Sequence, residues 1–249
     1  MQDAVTRKWD NHWKRLTAPQ RQASLLATTS LDSFSEDCYR VIKKHLPPQA
    51  KRVLEIGCGT GRFIICLAQD FPDLQIEGSD ISEQSIAIAK AGVALRKLTN
   101  VTLYSNNLLK LAPLQSQYDY IFLEGVLHYL PKKCEKEILQ RLSALLSPGG
   151  VLLIGVPNKR FYLHTLTNVL TYPLQFWHRC YERSYFGEQL AASFQQAGLN
   201  KIEYEGAAIK HGLRRSGFPW ANLAQKGWSG FLPQWNKRYG FYLFVKGEK

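Results

Sequence analysis

Three glycines and one aspartate carry the densest chemistry in this chain of 249 residues. In Val53–Arg62, VLEIGCGTGR, an apolar run leads directly into Gly57, Gly59 and Gly61. Glycine at such a point allows a tight turn and lets a ligand approach the backbone. A helix opening just beyond would offer unpaired N–H groups to an anionic end of that ligand. Asp80 closes the next apolar run, and a carboxylate there can accept from two adjacent hydroxyls. Asp80 also has a plain structural alternative as a helix N-cap, although Ser82 can fill that role instead. The dinucleotide fingerprint is G-x-G-x-x-G. Here the third glycine comes one position early and Arg62 stands where that pattern needs glycine, which argues against a nicotinamide enzyme.

Alternating elements must hold these residues. Phe34–Leu46 reads as a helix stopped by Pro47 and Pro48. Strand-length apolar runs then alternate with helical stretches: strand Arg52–Ile56, helix Gly61–Asp70, strand Gln75–Ser79, helix Ser82–Leu98. Strands follow at Val101–Tyr104 and Tyr118–Leu123, then a helix at Lys132–Leu146, a turn at Ser147–Gly150 and a strand at Val151–Val156. Residues 158–184 interrupt the alternation with an aromatic insertion. A helix at Phe186–Ala197, a stop at Gly198 and a strand near Lys201–Glu205 resume it. Residues 207–239 read as a second, irregular insertion before a last strand at Phe241–Val245. Ahead of all this, Trp9, Trp13 and Leu16 share one face of a short helix. Strand–helix alternation with buried apolar strands means an α/β fold, a mostly parallel sheet covered on both faces.

These motifs resemble, in order, those of class I S-adenosylmethionine-dependent methyltransferases. Glu55-Ile56-Gly57-Cys58-Gly59-Thr60-Gly61 is similar to that family's first motif, and Glu77-Gly78-Ser79-Asp80-Ile81-Ser82 to its second. Ser105-Asn106-Asn107-Leu108 stands where the family often carries an aspartate for the adenine amino group. Asn107 replaces it, with an amide oxygen that can still accept. Tyr118–Leu130 resembles the fourth motif, and Leu146–Leu152 the turn into strand five. The resemblance covers residues 40–157 closely and 185–249 loosely. It implies a Rossmann-like, seven-stranded, mostly parallel sheet with an antiparallel last strand, and S-adenosyl-L-methionine across the carboxyl ends of the first strands. The cofactor-binding residues it implies are Glu55, Gly57, Cys58, Gly59, Gly61, Asp80, Ile81, Asn107 and Leu108, with Glu124 beside the methionine portion. One domain, 1–249, is expected: a helical segment at 1–48, a cofactor-binding half at 49–157 and substrate-side elements at 158–249.

Methyl transfer from a sulfonium is an in-line displacement, so the protein must chiefly hold the acceptor close and aligned. A base helps when the acceptor loses a proton. His128, just after the fourth strand, is the first candidate. His164 and His178, in the insertion that would roof the pocket, are the others. Each could equally be an ordinary structural or surface histidine. No metal centre is expected, since the five cysteines are scattered, odd in number and never in a CxxC pair. That usage, and the lack of an apolar leader, suit a reducing cytoplasm.

The net charge of +12 sits mostly in the last third, where residues 159–249 hold 13 basic against 5 acidic residues. An anionic partner is expected there. Lys210, His211, Arg214, Arg215, Lys226, Lys237 and Arg238 interleave with Trp220, Trp228 and Trp235. That mixture suits a bilayer interface, stacked bases or a phosphorylated, apolar substrate. No RNA-binding motif is visible. The favoured acceptor is a small or lipid-linked anionic molecule, O-methylated, with peripheral membrane contact as an accompaniment. An RNA methyltransferase and a non-catalytic cofactor-binding scaffold are the alternatives. Phe161–Trp177 lacks charged residues but is too short and too polar for a membrane span of about 20 residues.

Overall fold

The structure, a computed structural model, describes residues 31–108, 117–162, 183–215 and 232–249, with Asn11 and Arg15 besides; the side chains of residues 214, 215, 232 and 233 are outside it. The readings on Trp9, Trp13 and Leu16, and on most of 158–184, lie outside the described residues. In chain order the elements are α1 (Ser33–His45), β1 (Arg52–Ile56), α2 (Arg62–Asp70), β2 (Gln75–Asp80), α3 (Glu83–Leu95), β3 (Val101–Ser105), β4 (Tyr118–Glu124), α4 (Glu135–Leu145), β5 (Leu146–Pro157), α5 (Gly187–Gln196), β6 (Asn200–Ala207), α6 (Ile209–Arg215), α7 (Leu232–Tyr239) and β7 (Tyr242–Glu248).

The seven strands form one sheet in the order β3-β2-β1-β4-β5-β7-β6. β1 pairs in parallel with β2 and β4, β2 with β3, and β4 with β5. β7 runs antiparallel between β5 and β6. This is the expected Rossmann-like sheet with its antiparallel last strand.

Strand side chains alternate between two cores. Val53, Tyr120, Phe122 and Leu153 pack on the face covered by α1, α2 and α3. Leu54, Ile121, Leu123 and Leu152 pack on the face covered by α4 and α5. Strands covered on both faces carry mostly apolar runs rather than alternations, as β1, β4 and β5 do, with Glu55 of β1 a buried exception. Caps set two of the helix starts. The carboxylate of Asp32 accepts from the Ser35 amide at 2.8 Å before α1, and the Ser82 hydroxyl accepts from the Ser85 amide at 3.4 Å before α3.

Two readings need correction. Residues 207–239 are not irregular throughout, because α6 and α7 occupy both ends of that stretch. Gly212 lies where α6 packs closely: a Cβ there would lie 2.6 Å from Phe241 and 2.7 Å from Phe161. Pro233 falls in the first turn of α7, where a missing N–H leaves no helical bond unmade. The Ser147–Gly150 turn, too, lies within β5, as an excursion between the pairs Tyr118–Leu146 and Tyr120–Val151. Among the described residues no helix is long and apolar enough to cross a membrane.

Candidate functional site

At the carboxyl ends of β1, β2 and β4 lies a cavity of about 460 Å³. Its size falls in the ordinary range for small-molecule sites. One end is built from the glycine loop and Asp80. Gly57 and Gly59 have φ of +76° and +53°, in the region that favours glycine. The Gly57 and Cys58 amides both donate to the Ser79 carbonyl, at 2.7 and 3.0 Å. The Gly59 amide donates to Asp80 Oδ2 at 2.9 Å, and the Ser82 amide to Asp80 Oδ1 at 2.9 Å. Asp80 thus braces the loop and starts the turn into α3, while Ser82 is the cap. Each carboxylate oxygen keeps acceptor capacity for a ligand. Burial pushes the Asp80 carboxyl above its ordinary value, against the pull of the Ser82 and Gly59 amides.

Ile81, Asn107 and Leu108 extend this end of the wall, joined by Asn106, whose Oδ1 accepts from the Asn107 amide at 2.7 Å. Glu55, Cys58 and Gly61 stand behind the wall. Glu55 is 2% exposed, and burial, aided by the carboxylates of Glu124 and Asp80, pushes its carboxyl well up. The Ile64 amide at the start of α2 hydrogen-bonds to it, while Oε2 has no hydrogen-bond partner among the described residues.

The middle of the cavity is made by the end of β4. Glu124 lines it, with its carboxyl pushed up to about 7 by burial and partly drawn back by the Tyr242 hydroxyl and by Arg62. His128 also lines it, 3% exposed, its ring 4.0 Å from that of Tyr129 and edge-on to Tyr242 at 6.4 Å. The segment carrying His128 is held from behind. The Arg183 guanidinium donates to the Leu127 carbonyl at 3.0 Å and to the Tyr185 hydroxyl at 2.8 Å. That hydroxyl donates in turn to the buried Glu135 at 2.9 Å.

The far end is aromatic. Phe34 of α1, His211 of α6 and Tyr242 of β7 meet there, Phe34 lying 4.8 Å from His211 and 5.2 Å from Tyr242. Phe241 lies 5.4 Å from His211 and completes the wall. Among the described residues, this cavity is lined by the carboxylates of Asp80 and Glu124 but by no lysine or arginine.

The structure therefore brings Gly57, Gly59, Asp80, Ile81, Asn107, Leu108, Glu124 and His128 to one cavity. His164 and His178 lie outside the described residues, as do the side chains of Arg214 and Arg215. The sequence reading did not place Phe34, Phe241 or Tyr242 at a site. Nothing local marks them; only the sheet order, with β7 beside β5, carries Tyr242 to the end of β4.

A family model described as a methyltransferase domain matches residues 31–204. The chain is 33% identical over 113 residues to trans-aconitate 2-methyltransferase from Variovorax paradoxus, a match covering 45% of this chain and 41% of that protein. It is 29% identical over 136 residues to malonyl-[acyl-carrier protein] O-methyltransferase 2 from Ilyobacter polytropus, covering 51% of each. These matches thus span about half or less of the relatives' own length. Among solved structures, Haemonchus contortus phosphoethanolamine N-methyltransferase 2, in complex with S-adenosyl-L-methionine, superposes with a TM-score of 0.64 at 17% identity, over 97% of this chain and 60% of that one.

Proposed function

The chain belongs to the methyltransferase-domain family, and from that premise we propose that it transfers a methyl group from S-adenosyl-L-methionine to a small or lipid-linked acceptor, by O-methylation. The observation that carries this reading is a single cavity with two unlike ends: the glycine loop and Asp80 at one, an aromatic wall at the other.

The residues present fit the cofactor. A Cβ on Gly57 would come within 2.1 Å of Val126 Cγ2, so only glycine leaves the loop backbone bare at the cavity. Asp80 supplies a half-buried acceptor for paired hydroxyls, and Asn106 and Asn107 supply amides for a base edge. When bound, the cofactor supplies an electrophilic methyl group on a sulfonium. The chain's own work is to bind, orient and exclude water. Glu124 and the aromatic wall border the space left for the acceptor, where positioning alone can supply much of the rate. Glu124, or His128 beside it, takes the acceptor's proton. The relatives named for trans-aconitate and malonyl-[acyl-carrier protein] are compatible with an oxygen acceptor.

One observation favours a second reading, N-methylation of an amine. The described wall offers two carboxylates and six aromatic or imidazole rings, and a cation is attracted by both kinds of group. On the O-methylation reading, the anionic part of the acceptor must lie outside this cavity.

Calorimetric titration with S-adenosylmethionine and S-adenosylhomocysteine tests the cofactor. A response to NAD(H) alone would sink the reading. Labelled cofactor offered to lipid, small-molecule, nucleic-acid and protein pools tests the acceptor. Label in the small-molecule or lipid pool supports the proposal, and label only in RNA or protein overturns it. Normal cofactor binding with no transfer to any pool would instead favour a scaffold.

A further inference from the structure

A second groove, of about 390 Å³, opens on the other side of α6 from the cavity. His211 faces the cavity, whereas Lys210, its neighbour in sequence, lines the groove. Arg40 and Lys44 of α1 and Lys237 of α7 line it as well. Its carboxylates are already matched. Asp37 pairs with Arg40 at 2.7 Å, and Glu205 accepts from Lys44 at 2.6 Å and meets His45 at 2.9 Å. That leaves Lys210 and Lys237, both exposed, with no carboxylate partner among the described residues. The groove therefore holds uncompensated positive charge, in a part of the chain where basic residues exceed acidic ones 13 to 5.

We propose that this groove is a binding site for a phosphate group, held between Lys210 and Lys237. A compact dianion matches two ammonium groups across a concave surface, where the low-dielectric walls strengthen the attraction. α1 joins the two sites: Phe34 stands in the cavity, while Arg40 and Lys44 stand in the groove. From Phe34 to Lys44 is about 15 Å of helix.

The test uses the full chain and two probes, inorganic pyrophosphate by calorimetry and phosphatidylcholine vesicles containing phosphatidic acid by co-sedimentation. Lys210→Glu/Lys237→Glu is compared with Lys133→Glu/Lys136→Glu, an equal change of charge at exposed positions away from the groove. Binding of S-adenosylhomocysteine is followed in every variant, as the check on folding. The expected result is pyrophosphate binding by the unaltered chain and by the second pair, weakened about ten-fold or more in the first pair. Sedimentation with vesicles that is lost only in the first pair would assign the phosphate to a lipid headgroup. Pyrophosphate binding without sedimentation would assign it to a soluble phosphate ester. Equal weakening in both pairs, an unchanged affinity in the first pair, or no binding of either probe would overturn the proposal. Failure of the unaltered chain to bind S-adenosylhomocysteine, with pyrophosphate binding intact, would count against the methyl-transfer reading and leave the groove standing.

Discussion

The Gly59 amide and the Asp80 carboxylate, 21 positions apart in the chain, are joined by a hydrogen bond of 2.9 Å across the mouth of the cavity. Asp80 therefore does two things: it fixes the glycine loop and faces the ligand. Asp80→Ala removes the ligand's carboxylate acceptor and leaves the Gly59 and Ser82 amides without it. Hydrogen bonds to a charged group are worth about 1.5–3 kcal/mol, so S-adenosylhomocysteine should bind about 10- to 100-fold more weakly. Asp80→Asn keeps one acceptor oxygen and should fall between. Calorimetry with both variants checks this, and unchanged affinity in the alanine variant would remove Asp80 from the site.

Gly57 and Val126 show the same loop from its other side. Gly57→Ala would set a Cβ 2.1 Å from Val126 Cγ2 and force alanine to a φ of +76°. The clash and the backbone strain should together cost about 2–4 kcal/mol of stability and most of the cofactor affinity. Val126→Ala removes Cγ2 and leaves the Val126 Cβ at 3.4 Å. The double variant should therefore recover part of the loss, and the remainder measures the cost of the positive φ. Denaturant melts of the three variants close the cycle. Strict additivity would mean that the clash is relieved in some other way.

The first half of the site was legible because its signals are local. Gly57, Gly59 and Asp80 sit where apolar strands end, and strand length and turn chemistry are written in adjacent residues. The aromatic end was not legible, because Phe34, His211 and Tyr242 are brought together only by sheet order and by packing of α1 and α6 across that edge. α6 was not legible in a stretch rich in Gly, Trp and Arg/Lys, although Gly212 serves close contact with Phe161 and Phe241. Of the basic residues of the last third, Lys210, Lys237 and Arg238 are exposed. Sequence could not show that Lys210 and Lys237 face a groove distinct from the cavity.

Glu124 makes stability depend on pH in a defined direction. Its carboxyl is raised from 4.5 to about 7 on folding, chiefly by burial. A carboxyl raised in the folded state contributes stability that is fully present below 4.5 and is lost as pH rises through about 7. Above pH 7 the charge should cost on the order of 3 kcal/mol. Glu124→Gln removes that cost, so its melting temperature relative to the unaltered chain should climb between pH 5 and about 8. Parallel melting curves across that window would show that Glu124 ionises freely in the fold.

Tyr242 should set where that titration falls. Its hydroxyl hydrogen-bonds to Glu124 and lies 3.6 Å from where a Cβ on Gly125 would be. A donor favours the ionised acceptor, so Tyr242→Phe takes away a force that lowers the Glu124 carboxyl. The inflection near 7 should move upward, by a fraction of a pH unit, in both the melting and the kcat/KM profiles. The ring that packs edge-on to Phe34 at 5.2 Å remains, so acceptor binding should change little. Phe34→Ala is the counterpart: it opens the aromatic wall and leaves the Glu124–Tyr242 pair in place. It should raise the acceptor's KM about ten-fold, with cofactor affinity and the pH inflection unchanged. If the two variants instead alter KM and the pH profile together, the carboxyl and the aromatic wall act as one unit, and Glu124 belongs to acceptor binding rather than to proton transfer.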